Sequence, residues 1–187
     1  MRGEAKMAAA VTVRKAILDQ DDTNGDLDKV CSLVASFAME KYTLTADTDR
    51  LRQFLPTFDS GFTLVAEVDS PASEESGGNG TGGSIVCGYA MCVLTMNSFK
   101  GGLSMELHDI FVAQDWRGKK VGQMLMDAVI AEAKERGCLD LKLSTHELNV
   151  GARVFYEKNG FNCFKGFNVR GDSAIKGRSL NYTKYLF

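Results

Sequence analysis

The segment LSMELHDIFV, residues 103–112, narrows the fold more than any other part of the chain. Leu103, Met105 and Leu107 alternate with Ser104, Glu106 and His108, the period of a half-buried β-strand. After His108-Asp109 the apolar residues Ile110, Phe111 and Val112 fall in the other phase. Side chains of a strand alternate strictly between its faces, and a slip of one residue inside an otherwise good strand is what a β-bulge requires. A bulge leaves backbone N–H and C=O groups unpaired and splays the neighbouring strand. The gap can accept an extended, amide-bearing ligand as a surrogate strand. A solvent-exposed strand end would give the same lettering, and this segment alone leaves both readings open.

The remaining sequence surrounds this strand with alternating elements. VTVRKAIL (11–18) suits a first strand, and Leu27, Val30, Cys31, Val34, Phe37 and Ala38 form the stripe of a helix over 26–42. A shorter helix over 47–55 stops at Pro56, whose ring disfavours helical geometry in the residue before it. Strands are predicted at 62–68 and 85–96, joined by a polar, glycine-rich loop over 70–84 that lacks the apolar residues to offset the entropy of ordering. The slipped strand runs over 103–114. A helix over 121–136 follows, with Val121, Met124, Leu125, Ala128 and Val129 on one face and Gly137 as its stop. A strand at 139–145, a helix from about Val150 with Asn149 as its N-cap and Asn159-Gly160 as its stop, and two closing strands within 161–169 and 178–187 complete the order. This is a mixed α/β (α+β) domain.

Composition bounds the functional classes. With 187 residues and 44% hydrophobic side chains, the chain carries apolar material for one core, so a single domain over 11–187 is expected after a disordered extension at 1–10. A net charge of -2 gives none of the cationic excess of a nucleic-acid binder. No apolar run approaches the roughly 20 residues that cross a bilayer, and the N-terminal apolar stretch is too short for a signal-peptide core. The chain reads as cytoplasmic, without nucleic-acid or membrane partners. Its five scattered cysteines, with no CxxC pair, read as buried reduced thiols, and the two histidines lack metal-ligand spacing.

Two further segments carry chemistry. Asp115-Trp116-Arg117-Gly118-Lys119-Lys120-Val121-Gly122 opens a helix, where the first amide donors lack partners and the dipole is positive, so a phosphate is well received. In ELNVGARVFYEKNGF (147–161), helical spacing brings Asn149, Ala152 or Arg153, and Tyr156 onto adjoining parts of one face, with Val150, Val154 and Phe155 as the core stripe. Other motif matches dissolve on inspection. The literal GxGxxG at Gly78, Gly80 and Gly83 precedes a strand instead of opening a helix. Aligning Gly25 to the glycine of a calcium loop puts Cys31 where a bidentate Glu belongs.

Together, the slipped strand, the basic glycine-bearing turn, the helix, the next strand and NxxARxFYEKxGF resemble the GNAT superfamily of acyl-CoA-dependent N-acetyltransferases, most sharply from about Glu106 to Phe161. LHDIFVAQDWRGKKVG and VFYEKNG look most similar to its small-amine, polyamine or thialysine type. The resemblance implies a mostly antiparallel, twisted central sheet with one splayed strand pair, flanked by helices. It also implies direct acetyl transfer from acetyl-CoA to the primary amine of a small molecule in a ternary complex, without a metal. The pantetheine arm would run beside Ile110, Phe111 and Val112. The pyrophosphate would rest on Arg117, Gly118, Lys119, Lys120, Val121, Gly122 and Gln123. Asn149 would contact the cofactor arm and Tyr156 would protonate the departing thiolate.

Two departures stand out. Lys120 occupies a position that is glycine in the family pattern. A non-glycine residue can still donate its amide from a helical conformation, so altered affinity is expected, and not loss of binding. At the bulge, His108-Asp109 replaces a Glu-Asp pair, which makes His108 the candidate base, with Glu106 and Asp109 as rivals, and removes an acidic group that would attract a polycation. Acetylation of a protein or peptide, at lysine or an N-terminus, is the alternative, and a non-catalytic acyl-CoA sensor is the alternative of another class. Family analogy also implies a homodimer, with the C-terminal strands at or near its interface.

Overall fold

The computed structural model describes residues 10–19, 22–69, 84–164 and 179–186. The expectations for the extension at 1–10 (Ala10 aside), for the loop at 70–84 (Ser84 aside) and for strand beyond Phe164 lie outside the described residues. Elements follow the expected order: β1 (Val11–Lys15), α1 (Asp26–Tyr42), α2 (Thr48–Phe54), β2 (Gly61–Asp69), β3 (Ser84–Asn97), β4 (Gly102–Val112), α3 (Val121–Glu135), β5 (Asp140–His146), α4 (Val150–Lys158), β6 (Asn162–Phe164) and β7 (Ser179–Tyr185). The first strand is shorter than 11–18. After Lys15 the Ile17 amide turns to the Asp26 carboxylate at 2.9 Å, which takes the chain off the sheet.

The strands form one seven-stranded sheet in the order β1-β2-β3-β4-β5-β7-β6. Among the described residues every neighbouring pair is antiparallel except β4 and β5. In the β3–β4 ladder, Met91 faces Asp109 and Cys92 faces Leu107, so His108 has no cross-strand partner and is the bulged residue. A second irregularity, between β2 and β3, leaves Cys87 as the extra residue. Nothing in the lettering announced it, because β3 is apolar on both faces.

The parallel pair is short. Ser104, Met105 and Glu106 of β4 pair with Asp140, Leu141 and Lys142 of β5, and beyond them the two strands part. A buried polar clamp holds the first of these pairs: Ser104 Oγ donates to Asp140 Oδ1 at 2.5 Å, and Asn97 Nδ2 donates to Asp140 Oδ2 at 3.0 Å.

Apolar side chains cover both faces of the sheet. On one, Leu64, Ala66, Met105 and Leu107 pack under Val121, Leu125, Met126, Val129 and Ala133 of α3. On the other, Val65, Tyr89 and Phe111 pack under Val30, Cys31 and Leu33 of α1. Because β2 is covered on both sides, Thr63 through Ala66 are all buried, and this strand lacks a polar phase. The buried face of α4 differs from the expected stripe. Val150 and Val154 are 60% and 43% exposed, whereas Tyr156 is buried, with its ring 6.0 Å from Phe161 and 5.9 Å from Tyr182. Four cysteines are buried free thiols, but Cys163 is exposed on β6.

A charged knot ties β1, β2 and α1 together. Arg14 donates to Asp26 (2.6 and 2.9 Å) and to Glu67 (2.7 and 2.8 Å), and Ser84 Oγ donates to Glu67. Burial alone would raise the Asp26 carboxyl. The Arg14 hydrogen bonds and the Ile17 amide reverse this and hold it below the usual carboxylate range. Arg14 is also the main reason that Glu67 is held low. Both folded-state values lie below the unfolded ones of about 4, so this stabilisation is complete above roughly pH 5 and is lost as the pH falls through 4 and below. Arg14→Met should therefore cost about 3 kcal/mol at pH 7, because it leaves the Asp26 carboxylate buried and unpaired. Urea unfolding measured from about pH 7 down to 3 should show the gap between wild type and variant narrowing as the carboxyls protonate.

Candidate active site

The parting of β4 and β5 opens a cavity of about 600 Å3. Its walls come from the free edge of β4 (Ile110, Phe111, Val112), from Ser144 and Thr145 of β5, from Ala152, Phe155 and Tyr156 of α4, and from Phe37, Lys41 and Tyr42 at the end of α1. Of the residues singled out in the sequence, His108, Ile110, Phe111, Val112, Arg117, Gly122, Asn149 and Tyr156 meet in this one space. Glu106 and Asp109 line it as well. Gly118, Lys119, Lys120, Val121 and Gln123 stand outside its lining. Val121 is buried in the core, and Gln123 donates to Asp127 and Asn159.

The bulge explains why two successive residues serve one site. In a regular strand His108 and Asp109 would point to opposite faces. Here both line the main cavity, and both line a second, apolar one on the side of α1 and α2. Burial pushes the Asp109 carboxyl up from the ordinary carboxylate range, against the opposing pull of His108. Its charge is in turn felt by the phenols of Tyr42, Tyr89 and Tyr156. Tyr156 is pushed up to about 12, by burial first and Asp109 second, so its O–H remains a hydrogen-bond donor throughout the neutral range.

At the other end of the cavity, Arg117 ties the turn before α3 to its surroundings. Its Nε donates to the Val112 carbonyl at 2.9 Å and its Nη2 to Glu40 at 2.7 Å, and the guanidinium lies 5.4 Å from the Phe111 ring centre. Gly118 has φ 74°, and Lys120, the residue before α3, has φ 66°. Lys120 is thus left-handed, not in the helical conformation expected for a non-glycine residue there. The first amide bonded back along the helix is Met124, to Lys120 O, which leaves the amides of residues 121–123 without intrahelical acceptors beside the cavity. That is an anion-receiving end.

Asn149 caps α4: its Oδ1 accepts from the Ala152 amide at 3.4 Å and its Nδ2 donates to Thr145 Oγ1 at 3.2 Å. The cap fixes the start of the helix that carries Tyr156. It also decides between Ala152 and Arg153. Ala152 lines the cavity, while Arg153 turns away and donates to the Glu147 carbonyl. His146 lies outside the lining and accepts from the Leu148 amide through Nδ1. Sequence reasoning missed Phe37, Lys41 and Tyr42, since α1 reaches the site only by folding across the sheet.

The acetyltransferase (GNAT) family profile matches residues 32–161. The chain belongs to that family. Among characterised relatives, it is 29% identical to the thialysine N-epsilon-acetyltransferase of Bos taurus over 111 residues, which is 54% of this chain and 61% of the bovine enzyme. It is 25% identical to the Mus musculus enzyme of the same name, over 91% of this chain and 99% of that one. Among solved structures, a ribosomal-protein-alanine N-acetyltransferase from Brucella melitensis shares the fold with a TM-score of 0.69 at 20% identity, over 94% of this chain and 99% of its own.

In this family setting Lys120 carries a conformational cost that the usual glycine would avoid. Lys120→Gly should raise stability by about 0.5–1 kcal/mol in urea unfolding, the left-handed penalty less the entropy that glycine adds to the unfolded chain. Lys120→Ala, which keeps the Cβ, should bring no such gain.

Proposed function

We propose that the protein transfers the acetyl group of acetyl-CoA to the primary amine of a small molecule, by direct attack in a ternary complex. One observation carries this reading: a single cavity runs along the unpaired edge of β4, from the helix start at Arg117 and Gly122, past Tyr156, to His108 and Asp109 at the bulge. The pantetheine amides take the place of a strand against Ile110, Phe111 and Val112. The pyrophosphate rests on the turn from Arg117 to Gln123, with the side chains of Lys119 and Lys120 adding cationic charge. Asn149 holds the cofactor arm.

The acceptor nitrogen attacks the thioester carbonyl carbon, the C–S bond breaks and sulfur leaves with the electron pair. An alkylammonium with a pKa of about 10 must first lose a proton. His108, exposed at the bulge, takes it directly or through water, with Asp109 beside it in the same cavity. Tyr156 donates its hydrogen bond to the sulfur as charge develops. A phenol near 12 is a weaker acid than a thiol of about 8.5, so Tyr156 stabilises the departing thiolate more than it protonates it.

The similarity to the thialysine enzymes supports a small-amine acceptor. The fold shared with the ribosomal-protein-alanine enzyme keeps a peptide N-terminus as the second reading. Thiol release measured with polyamines, lysine analogues, amino sugars and peptides separates the two. Silence from all of them, with coenzyme A still bound, would instead favour a sensor. Tyr156→Phe should lower kcat by about 100-fold while calorimetry returns an unchanged Kd for coenzyme A. His108→Ala should lower kcat/KM by about 10- to 100-fold at neutral pH, and the deficit should narrow towards about pH 9, where the free amine is more abundant. The homodimer belongs to the same proposal. β6 is an edge strand with all three residues exposed, and sedimentation at micromolar concentration should return the mass of two chains.

A further inference from the structure

Behind the bulge, on the side away from the turn before α3, lies a second cavity of about 310 Å3. It sits at the small end of the range for ligand sites. Its walls include Leu51 and Phe54 of α2, Phe58 and Met91, and among the described residues its only ionisable lining groups are His108 and Asp109. Those two residues also line the main cavity, so they mark the place where the two spaces meet.

We propose that this cavity selects the acceptor: a small primary amine with a single ammonium group and an uncharged, apolar alkyl or arylalkyl body. The inference rests on the acetyl-transfer reading and names the substrate class of that same site. The ammonium meets Asp109 and His108, next to the thioester. Along this cavity the body meets no other polar side chain among the described residues. A second ammonium further along a polyamine, or the α-amino and carboxylate groups of a lysine analogue, would be desolvated against Leu51, Phe54 and Met91 with no counter-charge among the described lining residues. An apolar body instead covers surface that is otherwise left in water. Phe54 is 52% exposed although its ring lies 5.3 Å from that of Phe58, and both rings line the cavity.

The test is the rate of thiol release from acetyl-CoA with a graded set of acceptors: n-alkylamines from propyl to hexyl, 2-phenylethylamine, spermidine, thialysine and a short peptide with a free N-terminus. In the alkyl series kcat/KM should climb roughly three- to four-fold per methylene until the cavity is full. 2-Phenylethylamine should exceed spermidine, thialysine and the peptide by about tenfold or more. Phe54→Asp, a change at an exposed position, should flatten the alkyl series and narrow that preference, with the melting temperature and the Kd for coenzyme A unchanged. A flat series in the wild type, a preference for spermidine, thialysine or the peptide, or a Phe54→Asp variant that keeps the slope would overturn the apolar acceptor and leave acetyl transfer standing. No thiol release with any amine would overturn acetyl transfer itself, and this proposal with it.

Discussion

Ser104 and Asp140 share a buried hydrogen bond at the first of the three pairs that join β4 to β5, and the site opens just beyond the last of them. Beyond Glu106 and Lys142, β4 keeps β3 as its partner while β5 continues with β7, and a wedge opens between strands that would otherwise be neighbours. Backbone N–H and C=O groups on the open edge of β4 lose their ladder partners, and a buried polar group without a partner is costly. The edge therefore favours a ligand that brings its own amides. The clamp is both polar and buried: Asp140 is buried, and Ser104, Asn97 and Lys142 surround its carboxylate with donors.

The bulge and the α3 start divide the wedge by charge. One end has Arg117 and unpaired helix amides, which suit an anion. The other has Glu106, His108 and Asp109, which suit an amine and its proton. Tyr156 lies between them on α4, buried by Phe161 and Tyr182 and kept protonated by that burial. Its place depends on a local device, the Asn149 cap, and on a long-range one, the aromatic cluster under α4.

Much of this could be read from the chain. The phase change at His108-Asp109 marked the bulge because the strand is half-buried there, so polar and apolar residues report on opposite faces. The glycine-bearing basic turn and the Asn149 cap are local, and local geometry is written in neighbouring residues. The same logic failed in β3 and in α4. The β2–β3 irregularity at Cys87 left no trace in an apolar strand, and Val150 and Val154 looked like core although α4 turns Ala152, Phe155 and Tyr156 inward. The left-handed Lys120 was also illegible, since lettering carries no sign of φ when glycine is missing.

By itself, the sequence determined the order of the elements, the position where the strand's phase changes and the residues of the basic, glycine-bearing turn, because periodicity and capping act over a few residues. Only the tertiary structure decided that β4 and β5 part after three pairs, that the end of α1 brings Phe37, Lys41 and Tyr42 to the cavity, and that an apolar second chamber meets the first at His108 and Asp109. These features arise from contacts between segments far apart along the chain. Such contacts depend on how helices settle across a sheet, and no short stretch of residues encodes that.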